Sequence, residues 1–312
     1  MNKSSPADQT PEKMTLKRQL IRLVLLAGIT YLGFCLMLAF LQRKLIYVPR
    51  AAPVLLAESG YPEERIREVV LSVDNGLYLY GWYCLPDADK TSASPKLALI
   101  FPGNGGNRLN RVRILELVND LGCAALIVDY RGYGGSHGAP SEEAIATDCR
   151  KVWAFATNEL GFSNDQIIVF GQSLGGGVAI RLVWELCQEN QAPAGLVLQA
   201  TFTSLVDAAQ HRFPWLPVNL LLVDRYPSIN RIPNITCPLL MLHGRQDNIV
   251  PLQLGERLFA VAPEVSANGI QKRFVELPDA GHNDIYHVAL DDVKKAKREF
   301  LDSIQTASLG AD

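Results

Sequence analysis

The chain has 312 residues, of which 48% are hydrophobic and 20% charged, and its 30 basic and 32 acidic side chains leave a formal charge of −2. That length and composition exclude a disordered or low-complexity chain and fit one folded body of about 250 residues with an appendage. The balanced, evenly spread charge offers no sustained cationic surface, which excludes nucleic acid as a partner class and assigns no oligomeric state.

In chain order, residues 1–22 read as a polar N-terminal tail, with Ser4-Ser5-Pro6 and Thr10-Pro11. Leu23 to Leu41 follows, nineteen positions without a charge, flanked by Lys17, Arg18 and Arg22 before and by Arg43 and Lys44 after. As a helix this run spans roughly 28 Å at about 1.5 Å per residue, so 23–41 is expected to be a transmembrane helix. A buried core helix of this length would show a polar face, and here only Thr30 and Tyr31 interrupt the apolar surface. A cleaved signal would end in a small-x-small site, whereas this run ends in Leu38-Ala39-Phe40-Leu41 and then Arg43-Lys44. Lys13, Lys17, Arg18 and Arg22 slightly outnumber Arg43, Lys44 and Arg50, which favours a cytoplasmic N-terminus and a single-pass protein with its large domain on the non-cytoplasmic side.

Residues 42–60, with Pro49, Ala51, Ala52 and Pro53, read as a juxtamembrane linker, and 61–312 as the main domain. Strands are predicted at Ile66–Val73 and Leu77–Cys84, joined by the hairpin signal Asp74-Asn75-Gly76. Further strands are predicted at Lys96–Phe101, Ala124–Asp129, Ile167–Phe170, Leu196–Gln199, Pro238–Leu242 and Lys272–Leu277. Helices fit between them at Asn107–Leu121, Ser141–Leu160, Ser173–Glu189, Pro251–Ala262 and Asp284–Ile304. This alternation predicts an α/β class, with a mostly parallel central sheet flanked by helices. The stretch 201–231 interrupts it and carries Phe213, Pro214, Trp215, Leu216 and Pro217, a candidate short lid.

The strongest local signal is Gly171-Gln172-Ser173-Leu174-Gly175, between a predicted strand and a predicted helix. A nucleophile on so tight a turn needs small neighbours, which the two glycines supply. A bare motif of this kind also arises by chance in a turn whose serine merely caps a helix. A serine hydroxyl needs a base, and the base an acceptor that fixes its tautomer. On a strand-to-helix elbow the order is serine, acid, histidine, and the chain offers Asp247 in His243-Gly244-Arg245-Gln246-Asp247, then His282 in Gly281-His282-Asn283-Asp284. Both follow predicted strands, at the edge where open α/β sheets gather their sites. Asp224 falls in the candidate lid and Asp279 lies only three positions before His282, so Asp247 is the preferred acid. His137, His211, His243 and His287 have bland readings in a loop, the lid, a strand end and a helix face.

Donors for a developing oxyanion are expected at the N–H of Leu174 and, from Pro102-Gly103-Asn104-Gly105-Gly106-Asn107, at the N–H of Asn104. Those glycines do not form G-x-G-x-x-G and no P-loop lysine follows, so no nucleotide cofactor is expected. Six cysteines (Cys35, Cys84, Cys123, Cys149, Cys187, Cys237) show no Cys-x-x-Cys and no zinc-ligand spacing, so no metal is expected either. They read as buried apolar fillers, and spacing alone names no disulfide pair.

With these residues in place the chain, from about Leu41 to Phe300, resembles the membrane-anchored branch of the α/β-hydrolase superfamily, which includes single-pass esterases, lysophospholipases and acyl-protein thioesterases. The resemblance rests on 102–107, on Asp129-Tyr130-Arg131-Gly132-Tyr133-Gly134-Gly135-Ser136, on 171–175, on His243-Gly244 with Asp247 and Pro251, and on Gly281-His282. It implies an α/β-hydrolase fold and a membrane-anchored serine hydrolase acting on ester or thioester bonds of small acyl or lipid-like substrates, without cofactor. A serine peptidase of the same fold and a non-catalytic binding protein are the alternatives. Pro102 departs from the family, which usually has a histidine before the glycine, so the outer packing of the oxyanion loop is expected to differ. The 129–136 segment resembles a structural loop beside the nucleophile and is given no catalytic role.

Overall fold

The structure is a computed structural model that describes residues 11–90 and 95–309. The chain divides into two compact units, with the boundary between Gln42 and Arg43.

The first unit is built on helix α1, Pro11–Ile46, which continues four residues past that boundary. Leu20, Leu23, Val24, Leu25, Leu26, Ile29 and Leu32 are all exposed on it, and from Thr15 it is long and apolar enough to cross a membrane. The helix is longer than the expected span of 23–41. Residues 11–22, expected as a tail, are helical, because Pro11 stands at the first helical position and the following Glu, Lys, Met, Leu, Arg and Gln residues all favour helix. Residues 1–10 of that expected tail lie outside the described residues.

The second unit is a helix-covered sheet. Its main strands are β1 (Ile66–Val73), β2 (Leu77–Cys84), β3 (Leu97–Phe101), β4 (Ala124–Val128), β5 (Ile167–Gln172), β6 (Gly195–Gln199), β7 (Leu239–Gly244) and β8 (Arg273–Leu277). They lie in the order β8-β7-β6-β5-β3-β4-β2-β1, and only the pairings β1–β2 and β2–β4 are antiparallel. The predicted hairpin turn is a single 3-10 turn at Asp74–Gly76.

Sequence pattern explains the arrangement. Every residue of β3, β4, β6 and β7 is buried, as expected for strands covered on both faces, whereas edge strand β1 alternates between buried and exposed positions. Because side chains alternate, Leu97, Leu99 and Phe101 enter one apolar cluster, with Val152, Val178 and Leu182. Ala98 and Ile100 enter the other, with Leu115, Val118 and Phe300.

The remaining helices are α2 (Val112–Asp120), α3 (Glu142–Ala154), α4 (Leu174–Gln188), α5 (Leu205–Arg212), α6 (Val218–Leu221), α7 (Ser228–Arg231), α8 (Leu252–Val261), α9 (Ile285–Val288) and α10 (Leu290–Leu309). Two side chains cap the helical segments that follow them: Asn107 accepts from Leu109 N–H at 3.1 Å, and Ser141 from Ala144 N–H at 3.2 Å. The single helix expected over Asp284–Ile304 is broken at Ala289 into α9 and α10.

The expected lid, 201–231, holds α5, α6 and α7. Its C-terminal base is clamped: Asp224 accepts from Arg43 and Tyr47, and Glu142 accepts from the backbone N–H groups of Arg225 and Tyr226 and from the Arg231 guanidinium. Its tip exposes Phe213, Trp215 and Leu220, the last by 85%. Of the linker expected over 42–60, residues 43–60 are part of the second unit: Tyr47 and Val54 are buried, and Val48–Pro49 pairs in parallel with Gly105–Gly106.

Candidate active site

Ser173 occupies the turn between β5 and α4 at φ 52°, a left-handed conformation that costs a non-glycine residue strain. The turn holds because its neighbours over-determine it. Ser173 N–H donates to Gln199 O at 2.9 Å, and Ser173 O accepts from Gly176 N–H and from the Thr201 hydroxyl. Both flanking glycines are required by space: a Cβ at 171 would meet the Gly175 carbonyl, and one at 175 the Phe101 carbonyl.

Asp247 leaves β7 on a loop whose backbone wraps its carboxylate. Oδ1 accepts from Ile249 N–H at 2.9 Å and Val250 N–H at 2.7 Å, while Oδ2 lies 2.6 Å from His282 Nδ1 and 3.5 Å from His243 Nε2. Burial alone would raise this carboxyl's pKa, but the hydrogen bonds from His243, His282 and Val250 outweigh it and hold the group well below the usual carboxylate range. Asp247 is therefore an acceptor only, which puts the shared proton on His282 Nδ1 and leaves Nε2 with a lone pair. That nitrogen sits 3.0 Å from Ser173 Oγ. Three side chains drawn from loops after β5, β7 and β8 thus form one hydrogen-bonded line, able to take a proton from the serine hydroxyl.

The glycine-rich loop after β3 passes directly beside Ser173, since a Cβ at Gly103 would lie 3.6 Å from Ser173 Cβ. Its next residue is Asn104, and Leu174 follows Ser173 directly as the first residue of α4. Asn104 O accepts from Val48 N–H at 3.0 Å and from Tyr133 OH at 2.7 Å, and Pro102 O accepts from Tyr130 OH at 2.9 Å. Asn104 Nδ2 donates to Ile46 O at 2.7 Å. The loop that lacks a histidine before Gly103 is thus braced by two tyrosines and by Ile46 and Val48.

Four supporting residues escaped the sequence reading. His243 is not a bland strand end but a fully buried ring against Asp247, its Nε2 2.8 Å from Val250 O. Tyr130 and Tyr133 sit in the 129–136 motif, which held the only available hint. Gln199 marked the end of a predicted strand and nothing more. The rejected acid Asp224 is in the Arg43 and Tyr47 cluster, and Asp279 is exposed.

Comparisons with known proteins agree with this architecture. Residues 96–225 match the family described as serine aminopeptidase, S33. An uncharacterized protein of Mycobacterium tuberculosis is 38% identical over 95% of this chain and 100% of its own. The lysophosphatidylserine lipase ABHD12 of Danio rerio is 31% identical over 75% of this chain and 70% of its own length. The alpha/beta hydrolase domain-containing protein WAV2 of Arabidopsis thaliana is 30% identical, over 88% of this chain and 92% of its own. Among solved structures, the Pyrococcus furiosus esterase Pf2001 superposes with a TM-score of 0.62 at 20% identity, over 82% of this chain and 98% of that one, which shows a shared fold. The chain is a hydrolase and belongs to the α/β-hydrolase superfamily.

Proposed function

We propose that this hydrolase is a membrane-anchored serine esterase or thioesterase working through Ser173, His282 and Asp247. The observation that carries the reading is the 3.0 Å approach of His282 Nε2 to Ser173 Oγ with its Nδ1 held 2.6 Å from a buried carboxylate. Ser173 Oγ attacks the acyl carbonyl as His282 takes its proton, and the N–H groups of Leu174 and Asn104 receive the oxyanion. His282 returns the proton to the leaving alkoxide or thiolate, and a water activated by the same imidazole then hydrolyses the acyl-enzyme. Asp247 orients the ring and stabilises its charged form.

Helix α1 supports anchoring, with the hydrolase unit on the non-cytoplasmic side by the charge balance around the span. The lysophosphatidylserine lipase relatives make monoacyl phospholipid esters the first substrates to try. The serine aminopeptidase family match favours a second reading, amide cleavage, which would use the same groups, so aminoacyl amides belong in the same assay.

A fluorophosphonate probe should label the wild-type protein and leave Ser173→Ala unlabelled, with acyl-ester hydrolysis falling by at least about 10³-fold. Equal labelling of the two proteins would refute the assignment.

A further inference from the structure

The six cysteines are not alike. Cys84, Cys123 and Cys149 are buried among apolar side chains, and burial pushes their thiols up, the first two to about 12. Cys187, in the last turn of α4, is half-buried and reaches solvent. Its Sγ accepts from the Thr236 hydroxyl at 3.3 Å and the Thr236 N–H at 3.4 Å, which brings it beside Cys237, the next residue in the chain.

Donors converging on one sulfur favour its thiolate. The Cys237 thiol, with burial opposing it and Thr236 assisting, brings Cys187 down to about 6. The C-terminal end of α4 disfavours a negative charge there, and the direct donors outweigh it. Cys237 is pushed the opposite way, chiefly because its proton is shared with Cys187 and because it is buried. Cys187, accessible to solvent and held by these donors, thus stands beside a buried second thiol, the arrangement that a two-cysteine oxidation needs.

We infer that Cys187 is a hydroperoxide-reactive site with Cys237 as its resolving partner, the two closing to a disulfide. The Cys187 thiolate attacks one peroxide oxygen; the S–O bond forms, the O–O bond breaks, and the departing hydroxide takes a proton to become water. Cys237 then attacks the sulfenic sulfur, its proton leaves with the displaced hydroxide as a second water, and the S–S bond forms. The two thiols give up two electrons and one peroxide accepts them. The bond ties the end of α4, which begins beside Ser173, to the segment leading into β7, which precedes Asp247, and closes a loop around β6 and the 201–231 insertion. It does not depend on the Ser173 chemistry, and thiol counting reads it without any substrate.

The test treats the full-length protein in detergent with hydrogen peroxide, blocks remaining thiols and maps disulfides by mass spectrometry. The thiol count should fall by two, with one cross-linked species joining Cys187 to Cys237 and a thermal midpoint raised by roughly 5 °C. Cys237→Ser should stop at a dimedone-trappable sulfenic acid on Cys187. Thr236→Val, which keeps both thiols, should slow oxidation by about threefold or more at pH 6.5. A different linked pair, oxidation of Cys187 no faster than that of Cys149 in the wild-type protein, or a dimedone adduct elsewhere in Cys237→Ser would overturn the inference.

Discussion

Two buried ionisable groups of the hydrolase unit are treated in opposite ways. Asp247, on the loop after β7, is 6% exposed and gathers two backbone N–H groups and two imidazoles. Lys297, on α10, is 2% exposed, and among the described residues its Nζ meets only Tyr286 OH at 3.5 Å and the ring faces of Phe170 and Tyr286 at 5.2 and 5.4 Å. Burial disfavours the charged form of both. Donors reverse that at Asp247, whereas nothing does at Lys297, whose amine burial pulls down to about 7. Depth in the fold therefore does not decide charge, and the polar partners supplied by neighbouring backbone do.

Asp247→Asn should have the largest effect. The backbone N–H groups of Ile249 and Val250 require an acceptor where Oδ1 stands, so the asparagine carbonyl is fixed there and its NH2 faces His282 Nδ1. The ring must then accept at Nδ1 and carry its proton on Nε2, where it cannot take one from Ser173. Fluorophosphonate labelling and kcat should fall by about 10³- to 10⁴-fold with the fold intact. Since Asp247 stays ionised well into the acid range, its own protonation does not account for activity lost on mild acidification, and a pH–rate profile flat down to pH 4 would contradict a histidine base.

Lys297→Met should stabilise the protein. An unfolded lysine keeps its proton to about pH 10.4, whereas the folded one releases it near 7. Between those values the unfolded chain binds more protons, so wild-type stability rises with pH across that window; below it the full cost of burying the charge remains. Methionine removes that cost, a gain of roughly 1–4 kcal/mol at pH 6 that shrinks as pH approaches 10. Chemical denaturation at both pH values checks it, and a destabilisation equal at both would count against the account.

The same contrast explains what could be read from the sequence. Asp247, Ser173 and His282 were legible because each sits in a local pattern, a strand followed by a tight glycine-containing turn, and because chain order constrains their roles. The strands of the parallel sheet were legible as unbroken apolar runs. Lys297 was not, because in a helix with many charged residues one lysine pointing inward carries no mark of its own. His243 looked like the end of an apolar strand, and its contact with Asp247 depends on how the loop folds back over four residues. The bracing of the oxyanion loop was hidden for another reason: Ile46, Val48, Asn104 and Tyr133 meet across more than eighty positions of chain. The packing of 43–60 onto the hydrolase body was missed with it.

That bracing predicts the smallest effect of the three. Unlike Asp247, the Asn104 backbone carries no charge, and its carbonyl is held by two neutral donors, Tyr133 OH and Val48 N–H. Tyr133→Phe removes one of them and leaves the ring packed against Tyr130. A neutral hydrogen bond is worth about 1 kcal/mol net, so the loop loosens without unfolding. If the adjoining N–H of Asn104 serves the transition state and not the ground state, the loss should appear in kcat, roughly 3- to 10-fold, with KM nearly unchanged. Steady-state kinetics on one acyl ester decides it: a change confined to KM would place this loop in substrate binding, and unchanged kinetics would remove Asn104 from the oxyanion site.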